Sequence, residues 1–273
     1  MWKRSAVFAI ISAMTDIDFL AGEIEKRYGT VKRARGTFLY TAKGVRLTDM
    51  YLEGGRAALG WGGMPAFTVF KNVLSRGLTG SFNTDFEKQI KRAVETLLAS
   101  PRDIYVFPCT KDALQNGILL SKDRTSVWRP WLSGVDWSKV DCVVIEPPIA
   151  WCSAVTLLAV KPGLEVFSSL PGTRRLPPAL AAALTRSIYD VIKAQGEREE
   201  KGWFLYDTVL TKYWRRRGAW LYPSVPEEHY RDFVLHCLDN TLVISPSYSK
   251  PSLVPYGADK GVFSKLKANP FCL

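Results

Sequence analysis

Asp103-Ile104-Tyr105-Val106-Phe107 runs through Pro108-Cys109 into Thr110-Lys111-Asp112-Ala113. After Asp103 the residues alternate β-branched and aromatic in a short run, which predicts a buried strand rather than a helix. Thr110 or Asp112 supplies the polar side chain that opens a helix, and the apolar pattern carries it to Leu120. The same alternation repeats on both sides. Thr84-Asp85-Phe86-Glu87 is a capping-box pattern ahead of a helix to about residue 99. Cys142-Val143-Val144-Ile145 is a second buried strand, closed by Glu146-Pro147-Pro148, and residues 154–160 predict a third. Pro177-Pro178 opens a long helix through Lys193 that is expected to stop at Gly196. Strands alternating with helices predict an α/β protein.

Upstream, residues 15–28 predict a helix, with Thr15 as its cap and Gly29 as its left-handed stop. Residues 37–41 and 45–51 alternate as strands around the turn Ala42-Lys43-Gly44, which predicts a hairpin. Downstream, residues 203–213 and 227–237 read as helices, residues 242–245 as a strand, and a last helix is expected after Gly257. The expected division is an N-terminal segment over 1–80, a large domain over 81–196 and a small C-terminal domain over 197–273.

The chain has 273 residues, 47% hydrophobic and 23% charged, enough for a substantial core and too apolar for disorder. No apolar stretch approaches a membrane-spanning length, so no membrane association is expected. Lys3 and Arg4 before an apolar run at 6–11 have the layout of a signal peptide, but no small-x-small cleavage site follows. Five widely spaced cysteines without a CxxC pair give no support for zinc and fit a reducing cytoplasm. His229 and His236 are the two histidines, two helical turns apart and too distant to share a metal ion, so no metal is expected. The net charge of +11 invites anionic partners. The charges are scattered except for Trp214-Arg215-Arg216-Arg217, which with Trp220 is the one candidate for gripping phosphates and stacking on bases. Nucleic-acid binding is therefore held as an alternative and not expected.

Several blocks, in order, resemble the class III aminotransferases, a fold-type I pyridoxal-phosphate family. Residues 40–51 with Gly54-Gly55 and Leu59-Gly60 are similar to its opening hairpin, with Trp61 where the family usually has His. Phe107 to Ala113 sits where the family has a strand, then "S-G-T-E-A", then a helix; Cys109, Thr110 and Lys111 replace Ser, Gly and Thr. Val140 to Pro147 resembles its "x-A-x-I-x-E-P" strand end, and Gly172-Thr173 with Pro178 to Leu184 its "G-T-x-x-x-x-P" junction. The resemblance implies a reduced fold-type I architecture: an incomplete large-domain sheet with flanking helices, plus a small α+β domain from both chain ends. It also implies a homodimer, and Cys109, Thr110, Lys111 and Thr173 as contacts to a cofactor phosphate or another anionic ligand.

The family places its Schiff-base Lys and its pyridinium Asp between the "E-P" strand and the "G-T" junction. Here only residues 148–171 lie there, with no Asp, Glu165 as the sole carboxylate and Lys161 as the sole lysine. Val155 to Lys161 echoes the phrase before the family's lysine, in a shifted register and followed by Pro162. Lys161 is thus the candidate catalytic residue of a compact pyridoxal-phosphate transferase. The alternative the missing groups favour is a protein that has lost the cofactor and transamination and acts as a dimeric scaffold or regulator. Glu146 at a strand end is a further candidate base.

Overall fold

The computed structural model describes residues 16–62, 64–80, 82–151, 154–164 and 170–272. Thr15, the basic and apolar stretch at 3–11 and Glu165 lie outside the described residues. In chain order the elements are α1 (residues 16–28), β1 (Val31–Arg35), β2 (Phe38–Thr41), β3 (Arg46–Asp49), α2 (Pro65–Ser75), α3 (Phe86–Leu98), β4 (Asp103–Phe107), α4 (Thr110–Ser121), β5 (Thr125–Val127), β6 (Cys142–Ile145), β7 (Thr156–Val160), α5 (Pro178–Glu197), α6 (Lys201–Phe204), α7 (Asp207–Leu210), β8 (Trp214–Arg217), β9 (Trp220–Pro223), α8 (Tyr230–Asp239), β10 (Leu242–Val243), β11 (Ser252–Leu253) and α9 (Ser264–Ala268). They form two compact units. One gathers Met1–Gly55, Gly60–Gly62 and Glu199–Leu273; the other holds Arg56–Leu59 and Gly63–Arg198. Of the cuts expected at 80 and 196, the first falls inside the second unit and the other lies two residues from a boundary.

The second unit is a three-layer α/β/α sandwich. Its sheet has the order β4-β7-β6-β5. β5 and β6 are parallel, and β7 runs antiparallel to both neighbours. Strand alternation sends Val143, Ile145, Leu157 and Ala159 to one face, against Ile90 and Val94 of α3 and Leu184, Ile188 and Val191 of α5. Cys142, Val144, Leu158 and Val160 go to the other face, where Ala113 of α4 packs. Both faces are covered, so β6 and β7 read as continuous apolar runs.

Arg102, just before β4, is fully buried. Its Nη1 donates to the carbonyls of Val140 (2.6 Å) and Asp141 (2.9 Å), Nη2 to that of Trp137 (3.0 Å) and Nε to Ser100 Oγ (3.0 Å). A planar fork of donors is thereby satisfied by the segment that leads into β6.

In the first unit β1, β2, β3 and β10 form one sheet and β11, β9 and β8 another. The hairpin is present, with Leu39 opposite Leu47. After β3, Leu52, Glu53, Gly54 and Gly55 all have positive φ, from 46° to 96°. Asp49 clasps this left-handed stretch: its Oδ1 accepts from the amides of Tyr51 and Leu52, and its Oδ2 from Trp61 Nε1 (2.8 Å). Trp61 in turn bridges back to Gly36.

Burial pushes the Asp49 carboxyl up to about 6, against the lowering effect of the Leu52, Trp61 and Tyr51 donors. The folded protein therefore holds this proton more tightly than the unfolded chain. The stabilisation is fully present below the unfolded value of 3.8 and is lost as pH rises through about 6. The difference in unfolding free energy between the parent and Asp49→Asn is expected to fall by about 2 kcal/mol from pH 4 to pH 7. Urea titrations at a series of pH values measure it, and a difference that does not vary with pH contradicts it.

Several elements depart from the sequence reading. β1, α2, β5, β8, β9 and β11 were not expected. The capping box at Thr84 does not form: Asp85 stands at the N-cap without a side-chain hydrogen bond, and Glu87 instead accepts from Arg175 (3.0 Å). α5 continues past Gly196 to Glu197. Residues 203–213 contain two four-residue helices rather than one, and only Leu242–Val243 of the expected 242–245 strand is paired.

Candidate functional site

The carboxyl ends of β4 and β6 meet the start of β7, because Phe107 pairs with Thr156 and Ile145 with Leu157. Open α/β sheets collect ligands at such strand ends. Three side chains are linked there. Thr110, the first residue of α4, donates its hydroxyl to Glu146 Oε1 at 2.6 Å and lies 3.3 Å from the Thr156 hydroxyl. Arg56 places Nη2 3.5 Å from the same Glu146 oxygen, and its Nη1 donates to the Val155 carbonyl at 3.3 Å. Thr156 is fully buried and Arg56 is 8% exposed, whereas the Glu146 side chain keeps 30% exposure, so water reaches the pair from the carboxylate side. A carboxylate beside the first turn of a helix also gains from the helix dipole.

Of the residues expected to hold a phosphate, Thr110 is thus engaged with Glu146. Cys109 is the extended N-cap of α4 and makes no capping hydrogen bond with its side chain; Lys111 lies in the first turn. Thr173 is exposed on a segment beside the outer edge of β4, where the Arg174 amide donates to the Val106 carbonyl (2.8 Å). That segment and β4 enclose a groove of about 360 Å³ that includes Ile104, Tyr105 and Thr173.

Lys161 is not brought to this place. It follows Val160, which pairs with Asp103 and Cys142, the amino ends of β4 and β6. Its amide donates to the Asp141 carbonyl, and its Nζ lies 3.4 Å from Asp141 Oδ1. The length of β7, roughly 16 Å at 3.3 Å per residue, separates it from Thr156 and hence from Thr110 and Glu146.

The basic block resolves differently from its sequence reading. It is strand β8, in which Trp214 is 1% exposed, and Trp220 on β9, opposite Arg217, is 2% exposed. Neither ring is open to stack on a base. Arg216 holds both oxygens of Asp207, at 2.6 and 2.8 Å, and Glu200 at 2.6 Å. His236 hydrogen-bonds through Nε2 with the Asn269 carbonyl. Among the described residues no group of three or more His, Cys, Asp or Glu side chains gathers as a metal site, and no helix is long and apolar enough to cross a membrane.

Arg56 and Thr156 were missed in the sequence. Arg56 lies in a Gly-rich bend that reads as a loop, and Thr156 within a strand that reads as core.

No family model matches the chain. It is similar to an uncharacterised protein of Treponema pallidum, 27% identical over 281 residues, covering 85% of this chain and 91% of that one. An uncharacterised protein of Borreliella burgdorferi is 25% identical over 260 residues, covering 89% and 90%. Among solved structures, the β-phenylalanine aminotransferase of Variovorax paradoxus superposes with a TM-score of 0.63 at 10% identity, over 97% of this chain and 95% of that one. The Plasmodium falciparum ornithine δ-aminotransferase gives 0.61 at 11% identity, over 92% and 96%. The acetylornithine aminotransferase of Elizabethkingia anophelis gives 0.59 at 12%, over 92% and 97%. The chain therefore has an α/β fold similar to that of the fold-type I transferases over most of its length, as the ordered blocks implied.

Proposed function

We propose that this protein is an aminotransferase-like protein that no longer transaminates and that acts, paired with itself, as a scaffold or regulator. The observation that carries the reading is the separation of Lys161 from Thr110 and Glu146 by the length of β7. Pyridoxal-phosphate chemistry asks the protein for an amine at the cofactor's carbonyl carbon, a carboxylate at its ring nitrogen and a phosphate cup. The residues here do not fit that group. Lys161 is tied to Asp141 at the far end of the sheet. Glu146 is engaged by Thr110 and Arg56 and stands beside the first turn of α4, where its charge opposes a phosphate. The cup's backbone approach would also have to pass Thr110 and Lys111, where the family has Gly and Thr. Self-pairing is supported by an aromatic group on the second unit: Trp151, 47% exposed, lies against Phe67 and Phe70 with centroids 5.9 and 5.3 Å away.

The expected result on mixing purified protein with pyridoxal phosphate is no new visible absorbance band and no borohydride-stable adduct on any lysine by peptide mass. The same preparation is expected to sediment as a dimer. An adduct on Lys161, abolished in Lys161→Ala, would establish the compact transferase instead, and a monomeric mass would remove self-pairing.

A further inference from the structure

Phe38 and Tyr40 lie two residues apart on β2, the strand between β1 and β3, so both rings leave the same side of the sheet. The registers place Arg33 opposite Tyr40 and Arg35 opposite Phe38 on β1, and Arg46 opposite Tyr40 on β3. Residues directly opposite share a face, so three guanidinium groups surround two rings. The Arg33 guanidinium carbon lies 5.5 Å from the Tyr40 centroid, and that of Arg46 4.5 Å from the Phe38 centroid. All three arginines are exposed, and both rings are half-buried.

The charge here is unbalanced. Residues 28–48 contain Lys32, Arg33, Arg35, Lys43 and Arg46 and no Asp or Glu. Among the described residues none of these five is ion-paired, whereas Arg27, Arg56, Arg175 and Arg216 each hold a carboxylate. Lys32 is the extra residue where the β1 register shifts between Val31 and Arg33, and Lys43 lies in the hairpin turn.

We propose that this open face of β1, β2 and β3 binds single-stranded nucleic acid. Bases stack on the rings and on the guanidinium planes the rings support, and phosphates lie against Arg35, Lys32 and Lys43. Aromatic rings flanked by arginines on a sheet face suit unstacked bases better than a lipid surface, which needs an apolar side chain to insert. The exposed apolar residue of β1, Val31, pairs with Thr41 and so belongs to the opposite face. The proposal shares no residue with the strand-end site and does not depend on the reading given above.

The test is fluorescence anisotropy of a labelled oligouridylate with the full chain. Binding is expected at about 50 mM salt, falling toward 200 mM with a log–log slope of about −2 to −3.5, as three to five single-strand phosphate contacts require. The Arg33→Gln, Arg35→Gln, Arg46→Gln triple variant is expected to weaken binding at least tenfold and flatten the slope by about 0.7, the share of the Arg35 phosphate contact. Tyr40→Ala is expected to lose roughly tenfold. Arg215→Gln with Arg217→Gln is expected to bind as the parent does. Arg35→Gln alone, which leaves both ring-stacked arginines in place, serves if the triple variant melts early. No binding at 50 mM salt, equal binding by the folded triple variant, or binding to phosphatidylserine vesicles without binding to the oligonucleotide overturns the proposal.

Discussion

Replacing Arg102 with alanine is expected to remove about 3–5 kcal/mol of stability, read as a shift of the urea midpoint without a change in slope. Two losses add. A large side chain with no exposure leaves a cavity beside β4 and β6. The Val140, Asp141 and Trp137 carbonyls also lose a shared donor group. Asp141 keeps the Lys161 amide and Trp137 the Val140 amide, so the Val140 carbonyl is the one left without another partner among those described. Burial lowers the Arg102 pKa, yet a guanidinium stays charged, so the site stores a desolvated cation held chiefly by carbonyl dipoles, with the Asp141 charge nearby acting against the burial effect. Arg102→Lys keeps the charge but lacks the fork and should recover less than half of the loss. Against a typical total of about 5–15 kcal/mol, the alanine variant stands near the limit of folding. A loss below about 1 kcal/mol would show that water replaces the guanidinium.

Gly55→Ala is expected to destabilise by about 3 kcal/mol. Gly55 has φ +96°, outside the range an L side chain adopts without strain, and a Cβ there would lie 2.4 Å from the Trp220 ring. The ring cannot move aside freely, because Trp220 is 2% exposed and β9 is paired on both sides. Gly54→Ala is the comparison that separates the two causes. It also has positive φ, but its nearest neighbours are Tyr51 atoms at 3.9 Å, so backbone strain of about 1 kcal/mol is all that remains. Equal thermal melts for the two variants would mean that Trp220 yields without penalty.

β4 and β6 were legible to the residue because each is a short apolar or aromatic run stopped by Pro or Glu-Pro; β6 is buried on both faces as expected, whereas β4, at the sheet edge, is half-buried except for Phe107. β1 was not, because Lys32, Arg33 and Arg35 are exposed and alternation has nothing apolar to reveal. α2 begins at Pro65 with Met64 before it, so no polar cap announces it. The site divides along the same line. Thr110 and Glu146 were visible because each follows a recognisable strand, Thr110 opening the helix after β4 and Glu146 closing β6. Arg56 and Thr156 were not, because their roles are set by contacts across the fold; the Arg56 bond to Val155 spans 99 positions of sequence. Trp214 and Arg216 show the reverse error, since a basic, aromatic block looks like a surface until pairing buries its alternate residues.

The direction of β7 also sets what can be re-engineered. A chain that returns down the sheet delivers whatever follows it to the back, so no side-chain exchange at position 161 restores a lysine to the front. An amine meant to face Thr110 from this segment has to enter at the first residue of the strand, Thr156, or in the connection from Glu146, where Arg56 and Glu146 already share the space. Placing a lysine at the front of this sheet is therefore a problem of connectivity, to be solved by inserting a crossover and not by substitution.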